Sequence, residues 1–169
     1  MRNRELDIFV ADTRVIKDVS DLEISPLPQQ QGYFCCRPGH PLTEKKQLEV
    51  KDIFVYPLAV MWFPKVLLNA LARTAGLQLN SVDDLPCAVL QCEYLKVLFD
   101  IISGSDATGL ITLPILNSPR QQKLVSLPLT VPELNTHYGL VSLSRYSQPP
   151  VVQMFQHYMI ETEEQCSQE

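Results

Sequence analysis

Two adjacent cysteines, Cys35 and Cys36, precede His40 in the stretch GYFCCRPGHPL. Thiolates and imidazole are ligands that zinc prefers, and a thiolate beside an imidazole can also act as a nucleophile. Adjacent side chains of a strand point to opposite faces, so the two thiols cannot turn toward one metal ion. A zinc site would need a second pair at CxxC-like spacing, which Cys87 and Cys92 do not supply. The sequence therefore predicts neither a metal site nor a bound cofactor.

An enzyme that uses a cysteine nucleophile with His40 as its base is the catalytic alternative. The sequence offers no recognisable oxyanion site and no third residue to orient the histidine. Cysteine is more often a small buried core residue than a nucleophile. We therefore expect no catalysis, and rapid labelling of one cysteine at neutral pH would favour the thiol enzyme instead.

Length, composition and charge limit the classes of protein to consider. The chain has 169 residues, of which 46% are apolar and 20% charged, and this suffices for a compact fold with a core. Its formal charge of −5 argues against direct binding to a nucleic-acid backbone, which needs clustered lysine and arginine. The charged start MRNRELDIFV is unlike a signal peptide, and no apolar run reaches the roughly 18–20 residues of a membrane span. We therefore expect a cytoplasmic protein that does not contact a membrane.

Strands and helices alternate along the chain, which predicts an α/β fold with a parallel or mixed sheet. Short apolar runs that end in polar or turn residues predict the strands, and apolar residues at helical spacing predict the helices. Gly76 is expected to close the first long helix. The predicted strands are residues 6–11, 33–36, 58–62, 88–90, 109–113 and 138–143, and the predicted helices are 64–75, 95–102 and one whose inner stripe is Val152, Phe155, Tyr158 and Met159.

The residues that follow two of the predicted strands could bind a small ligand. Met61 and Trp62 lie at the carboxyl end of one strand, where ligands bind in open α/β sheets. Gln91, Cys92 and Glu93 precede the next helix, whose free N–H groups and positive dipole end favour a small anion. The alternatives are ordinary core packing for the apolar residues and helix capping for the polar ones.

The order of segments resembles the effector-binding domain of LysR-type transcriptional regulators. The segments are ELDIFVADT, YFCCRPGHPL, YPLAVMWF before a helix ending AGL, and a helix leading through SG into TGLITLP. The resemblance extends from about Glu5 to Met159 and implies a periplasmic-binding-protein-like (type 2) fold of two α/β subdomains. On this interpretation residues 31–141 form a complete second subdomain, and residues 1–30 and 142–165 form part of the first. We expect the helix-turn-helix and the opening strand, helix and strand of the first subdomain to be absent.

The resemblance implies a regulatory function. A small-molecule effector would bind between the subdomains and change the orientation of the subdomains, or of the protomers in a homo-oligomer such as a dimer. The absent module alone would contact DNA, and effector binding would control that contact or transcription. A solute-binding protein of a transporter shares the fold and is the alternative, which a signal peptide upstream would favour.

The resemblance also adds residues to the predicted effector site. It places Tyr33 to Arg37 on a strand that crosses between the subdomains, with Cys35 and Cys36 packed on opposite faces and His40 in the following turn. Arg37 would offer a bidentate bond to a carboxylate, so an anionic effector is expected, although Glu93 would repel one. The predicted effector-binding residues are Asp12, Thr13, Arg37, Met61, Trp62, Gln91, Cys92, Glu93 and Thr112.

Overall fold

The chain divides into two compact units in the computed structural model, which describes residues 7–16, 20–61, 65–78, 84–117, 124–144 and 148–166. Met1–Gln30 and Thr136–Glu169 make up the first unit, and Gln31–Asn135 make up the second. The strands are β1 (Ile8–Asp12), β2 (Leu22–Pro26), β3 (Gly32–Cys36), β4 (Leu58–Val60), β5 (Val89–Gln91), β6 (Thr108–Thr112), β7 (Val125–Ser126) and β8 (Tyr138–Leu143). The helices are α1 (Val50–Ile53), α2 (Lys65–Thr74), α3 (Leu95–Gly104), α4 (Leu113–Leu116) and α5 (Pro150–Cys166), with 3₁₀ turns at Thr13–Val15, Pro41–Glu44 and Pro132–Leu134.

The first unit contains a three-stranded antiparallel sheet of order β1-β8-β2. Strand β8 is central and its Leu140 and Val141 are fully buried, as expected for a strand that pairs on both edges. Two hydrogen bonds join the points where the chain leaves this unit and re-enters it. The Thr136 N–H donates to the Gln30 carbonyl at 2.8 Å, and the Gln30 N–H donates to Thr136 Oγ1 at 2.9 Å.

The second unit contains a five-stranded mixed sheet of order β5-β4-β6-β3-β7. Strand β4 runs parallel to β5 and β6, whereas β3 runs antiparallel to β6 and β7. Buried side chains form two separate apolar clusters in this unit. Cys35 belongs to the cluster that contains Phe99 of α3, and Cys36 belongs to the cluster that contains Leu71 of α2. The predicted packing of the two cysteines on different faces of one strand is confirmed.

Several predicted elements agree closely with the structure. The strand at 138–143 has the predicted bounds, and the helix that was expected to end at Gly76 is α2, which ends at Thr74. Gly76 adopts a φ of +71°, the left-handed conformation that glycine adopts most easily after a helix. The predicted mixed α/β fold is confirmed. The subdomain limits, with the second subdomain at 31–141, stay a prediction.

The inner stripe predicted for the last helix is wrong for two of its four residues. Val152 is buried and Met159 is half-buried, but Phe155 and Tyr158 are 47% and 60% exposed. The inward face of α5 instead carries residues at i, i+4, i+7, i+8 and i+11, a set that includes polar side chains. These residues are Val152, Gln156, Met159, Ile160 and Glu163. Because some residues of the inward face are polar, the spacing of apolar residues alone does not locate this face.

Candidate functional site

The carboxyl ends of three strands lie at one edge of the sheet in the second unit. Because β4 is parallel to both β5 and β6, the residues that end these strands share that edge. Val60 is opposite Gln91 in the register, and Met61 follows directly. Thr112 ends β6 at the same edge. The structure therefore brings together Met61, Gln91, Cys92 and Thr112, as the sequence predicts for the ends of parallel strands.

The start of α3 lies beside these strand ends. The Cys92 N–H donates to the Val60 carbonyl at 2.9 Å, so the chain leaves the sheet only after this residue. Tyr94 occupies the N-cap position, and its side chain makes no capping hydrogen bond. The first turn of α3 contains no acidic residue. Capping by Glu93 and its neighbours was the alternative function of these polar residues, but the cap position belongs to Tyr94.

The side chains at this edge are accessible. Met61 is 42% exposed, Gln91 and Glu93 are exposed, and Cys92 and Thr112 are half-buried. Trp62 lies outside the described residues. Tyr94, which is 72% exposed at the start of α3, was not among the residues predicted from the sequence. An aromatic residue directly after Gln91-Cys92-Glu93 was the signal that could have added it to the candidate set.

Arg37 does not share this edge, which corrects its predicted place in the site. Strand β3 is antiparallel to β6, and Gly32 at its start pairs with Thr112 while Cys35 pairs with Gly109. Arg37 follows the far end of β3 and so lies at the opposite edge of the sheet. The direction of a strand depends on its partners in the sheet, and an apolar run does not encode it.

The guanidinium group of Arg37 binds a loop of its own unit. Its Nη2 and Nε donate to Asp106 Oδ1 at 2.6 and 3.1 Å, and its Nη1 donates to the Pro38 carbonyl at 3.1 Å. A side chain held in this way fixes the turn at Pro38-Gly39 against the loop before β6. Arg37 therefore has a structural function in this unit, and its part in effector binding stays a prediction.

His40 strengthens the same connection from a buried position. Its side chain is inaccessible to solvent, and its Nδ1 accepts a hydrogen bond from the Leu42 N–H at 3.1 Å. The proton is therefore on Nε2, which donates to the Asp106 carbonyl at 3.1 Å. The ring also makes an edge contact with Tyr56, with centroids 4.5 Å apart. His40 lies in the predicted turn, where it begins the 3₁₀ turn Pro41–Glu44.

Asp12 and Thr13 lie in the first unit, where both bind their own turn. Asp12 accepts hydrogen bonds from the Arg14 side chain at 2.6–3.1 Å and from the Arg14 N–H at 2.9 Å. Thr13 Oγ1 donates to the His137 carbonyl at 2.9 Å. These bonds fix the turn that follows β1, and the part of Asp12 and Thr13 in effector binding stays a prediction.

A family model described as the LysR substrate binding domain matches residues 1–163. The chain belongs to this family. This LysR substrate-binding domain is similar to the SDS degradation transcriptional activation protein of a Pseudomonas species, with 31% identity over 144 residues. The match covers 81% of this chain and 44% of that relative, so the chain spans less than half of the relative's length.

Solved structures of LysR-family domains share the fold of this LysR substrate-binding domain. The effector-binding domain of QuiR, solved in complex with shikimate, aligns with a TM-score of 0.69 at 15% identity and covers 97% of this chain and 75% of its own. The regulatory domain of Synechocystis CcmR, solved in complex with 2-PG, aligns with a TM-score of 0.67 at 14% identity. This alignment covers 96% of the present chain and 76% of the CcmR domain. The periplasmic-binding-protein-like (type 2) fold is thereby confirmed. Among the described helices, none is long and apolar enough to cross a membrane.

Cys35 and Cys36 of this LysR substrate-binding domain are poor nucleophiles. Burial raises the pKa of Cys35 to about 12 and that of Cys36 to about 11. Both thiols are therefore protonated at neutral pH, and the thiolate is the reactive form. Cys87 has a pKa raised by burial as well. Within the part of the chain that the structure describes, no three His, Cys, Asp or Glu side chains are grouped to hold a metal ion.

We expect the first unit of this LysR substrate-binding domain to lose stability in acid, because the Asp12 carboxylate becomes protonated there. Burial alone would raise the pKa of Asp12, but the hydrogen bonds and the charge of Arg14 outweigh burial and lower it. A lowered pKa in the folded state stabilises the fold above the ordinary pKa of aspartate, near 3.9. This contribution disappears as the pH falls through the lower folded-state pKa.

Asp12→Asn should therefore reduce the free energy of unfolding by about 1–2 kcal/mol at pH 7 and by less near pH 2. Urea denaturation at several pH values measures this difference. Glu23→Gln, on the exposed side of β2 in the same unit, is the matched control and should leave the stability within about 0.5 kcal/mol of the wild type. A constant difference between Asp12→Asn and the wild type across this pH range would contradict the argument.

Proposed function

We propose that this chain senses a small-molecule effector and thereby controls a longer LysR-type regulator. The observation that carries the proposal is the edge of the second unit where β4, β5 and β6 end beside the uncapped start of α3. Strand ends of this kind bind ligands in open α/β sheets, because loops and helix N-termini there present N–H groups and side chains to one point. Membership of the LysR family favours a regulator over a transporter's solute-binding protein.

The proposed site offers polar contacts on an apolar wall. Gln91 can donate and accept hydrogen bonds, Thr112 offers a hydroxyl group, and Met61 supplies apolar surface. Trp62 belongs to the proposal through its position directly after Met61. Asp12 and Thr13 of the first unit stay predicted members of the effector site.

The start of α3 favours an anionic group on the effector. Tyr94 contributes no side-chain cap, and a helix of ten residues presents unpaired N–H groups and a positive dipole end at its first turn. Glu93 opposes this preference at close range. We therefore expect a ligand that carries one carboxylate and also hydrogen-bond donors for the Glu93 carboxylate. Related domains solved with shikimate and with 2-PG support a small polar effector as the class of ligand.

The output requires two states of the regulator with different affinity for the effector. A ligand shifts an equilibrium only by the difference between its affinities for the two states. The negative charge of this chain and its lack of a basic cluster support contact with DNA through another part of the regulator. Catalysis has no place in this proposal, since binding alone supplies the signal.

Calorimetry of this chain against a panel of organic acids, amino acids and aromatic carboxylates tests the site. Gln91→Ala should weaken the binding of the effector at least ~10-fold, because a buried bond to the ligand would lose its partner. Arg37→Ala is the matched control, since it removes a polar side chain from the opposite edge and should leave the affinity within about twofold.

Two outcomes separate the parts of the proposal. An effector whose affinity falls with Arg37→Ala but not with Gln91→Ala would move the site to the other edge of the sheet. A covalent product or turnover of a panel compound would contradict the regulatory function itself.

A further inference from the structure

A cavity of about 340 Å³ lies in the second unit, between the 3₁₀ turn Pro41–Glu44 and the residues around the end of α1. Its apolar wall consists of Pro41, Leu42, Val55 and Tyr56, of which Leu42 is buried and Tyr56 half-buried. We call this space the α1 cavity. Its volume is in the range of sites that bind small molecules. Val55 and Tyr56 precede β4, so the cavity lies at the edge of the sheet opposite to the proposed effector site.

Charged side chains line the rest of the α1 cavity. Lys45 Nζ lies 2.5 Å from Asp52 Oδ1, and Glu44 adds a second carboxylate. The backbone also holds Asp52, because the Glu49 N–H donates to its Oδ2 at 2.9 Å. The hydrogen bonds from Lys45 and from the Glu49 N–H lower the pKa of Asp52, so this group is an anion at neutral pH. The cavity therefore contains a nearly buried carboxylate in a fixed position.

The side chain of Lys45 shows which kind of group this carboxylate accepts. It is a four-carbon chain that ends in an ammonium group, and it reaches Asp52 beside the apolar wall of the cavity. The Lys45 side chain is 46% exposed, whereas that of Asp52 is 11% exposed. An ion pair with a flexible and largely exposed lysine is weak, so a ligand that carries an ammonium group can displace the lysine.

We propose that the α1 cavity binds a small alkylammonium ion, which replaces Lys45 at Asp52. The ammonium group of the ligand would donate to the Asp52 carboxylate, and Glu44 would add a second negative charge nearby. The alkyl chain would pack against Leu42 and Tyr56. This site is separate from the effector site and does not depend on it.

The charges of the lining favour a cation over an anion. Among the described residues that line the cavity, Lys45 is the one cation, and Glu44 and Asp52 oppose it. Lys51 lies on the same short helix as Asp52, but it pairs with Glu49 at 2.6 Å and does not line the cavity. An anionic ligand would have to draw Lys45 away from Asp52. It would then leave a nearly buried carboxylate without its cation, which is costly.

NMR titration of the intact, nitrogen-15-labelled chain with pentylammonium chloride tests the site. One ion pair and a short apolar chain predict a dissociation constant on the order of 1 mM. The amide signals of Leu42, Glu49 and Tyr56 should move and reach saturation, while sodium chloride keeps the ionic strength constant. The neutral 1-pentanol and the anionic pentanoate have the same number of carbon atoms. Both should bind at least ~10-fold more weakly, because they cannot make the charge-assisted bond to Asp52.

Two substitutions should change the affinity for pentylammonium in opposite directions. Lys45→Ala removes the competing ammonium group, so the ligand should bind about two- to fivefold more tightly. Asp52→Asn removes the negative charge and should weaken binding at least ~10-fold. Asparagine keeps an oxygen that can accept from the Glu49 N–H, so the start of α1 should be retained.

Lys96 and Asp100 provide the matched controls. They form an ion pair at 2.9 Å on the exposed surface of α3, in the same unit as the cavity. Lys96→Ala and Asp100→Asn therefore make the same changes of charge as the two test substitutions. Both should leave the dissociation constant for pentylammonium within about twofold of the wild type.

Three outcomes would overturn the proposal. Weaker binding of pentylammonium by Lys45→Ala would mean that the lysine, and not the carboxylate, holds the ligand. Equal affinity for pentylammonium and 1-pentanol would leave only an apolar contact. The same conclusion against the site would follow if the amides of Leu42, Glu49 and Tyr56 showed no saturable shift in both the wild type and Lys45→Ala.

Discussion

Replacement of His40 by alanine should lower the free energy of unfolding of the second unit by about 3 kcal/mol. The side chain is fully buried, and each ring nitrogen has a partner: the Leu42 N–H on one side and the Asp106 carbonyl on the other. Alanine would leave both groups without a partner in a place that water does not reach. It would also leave a cavity beside the ring of Tyr56. The melting temperature should fall by about 10 °C or more.

Two further substitutions separate the causes of this effect. His40→Asn keeps a short polar acceptor at the start of the 3₁₀ turn, so it should restore the bond to Leu42 but not the bond to Asp106. We expect its loss of stability to be about half that of alanine. His157→Ala removes an exposed imidazole from α5 and should change the stability by less than about 0.5 kcal/mol. Equal stability of His40→Ala and the wild type in thermal denaturation would show that the two bonds do not hold the turn.

Replacement of Gly32 by alanine should cost about 2–3 kcal/mol in the second unit. A Cβ atom built on Gly32 would lie 2.6 Å from the Leu134 carbonyl oxygen and 3.1 Å from the Leu134 Cβ. The obstacle is backbone, so no side-chain rotation relieves it. Either β3 or the 3₁₀ turn Pro132–Leu134 would have to shift, and β3 is the strand that pairs with both β6 and β7.

Gly104→Ala provides the matched control for Gly32→Ala. Gly104 is the last residue of α3, and a Cβ atom there would have no neighbour within 4 Å. The substitution should be neutral or stabilising by up to about 1 kcal/mol, because alanine is the better helix former. Chemical denaturation of both variants gives the comparison. A Gly32→Ala protein as stable as Gly104→Ala would mean that the turn yields to the methyl group at little cost.

Local sequence patterns predicted the elements that are determined by residues close to one another in the sequence. Strand β8 is a run of apolar residues bounded by polar ones, and α2 ends before a glycine that adopts the left-handed conformation. The placement of Cys35 and Cys36 followed from the geometry of any strand. The sharing of one edge by Met61, Gln91 and Thr112 followed from the rule that consecutive βα units form parallel strands.

Other features depend on contacts between distant parts of the chain, and the pattern of residues does not contain them. Arg37 was misplaced because the direction of β3 is set by its pairing with β6, far along the sequence. Arg37 and His40 both donate hydrogen bonds to Asp106. This residue lies in a surface loop whose sequence resembles that of any polar turn. The inner stripe predicted for α5 was wrong in part because the polar residues Gln156 and Glu163 lie on the inward face of this helix. A buried polar residue is recognisable only when its partner is known, such as Gln30, which donates to Glu163.

The central position of β8 in the three-stranded sheet determines when that sheet can exist during protein synthesis. In the described sheet, β1 and β2 each pair with β8 and not with one another, so this pairing has to wait until β8 has been translated. Thr13 and His137, which bond beside this sheet, are 124 positions apart. A ribosome that adds roughly 5–20 residues per second needs about 6–25 s to cover that distance. The sheet of the first unit therefore forms late, and the contiguous second unit can already fold during this interval.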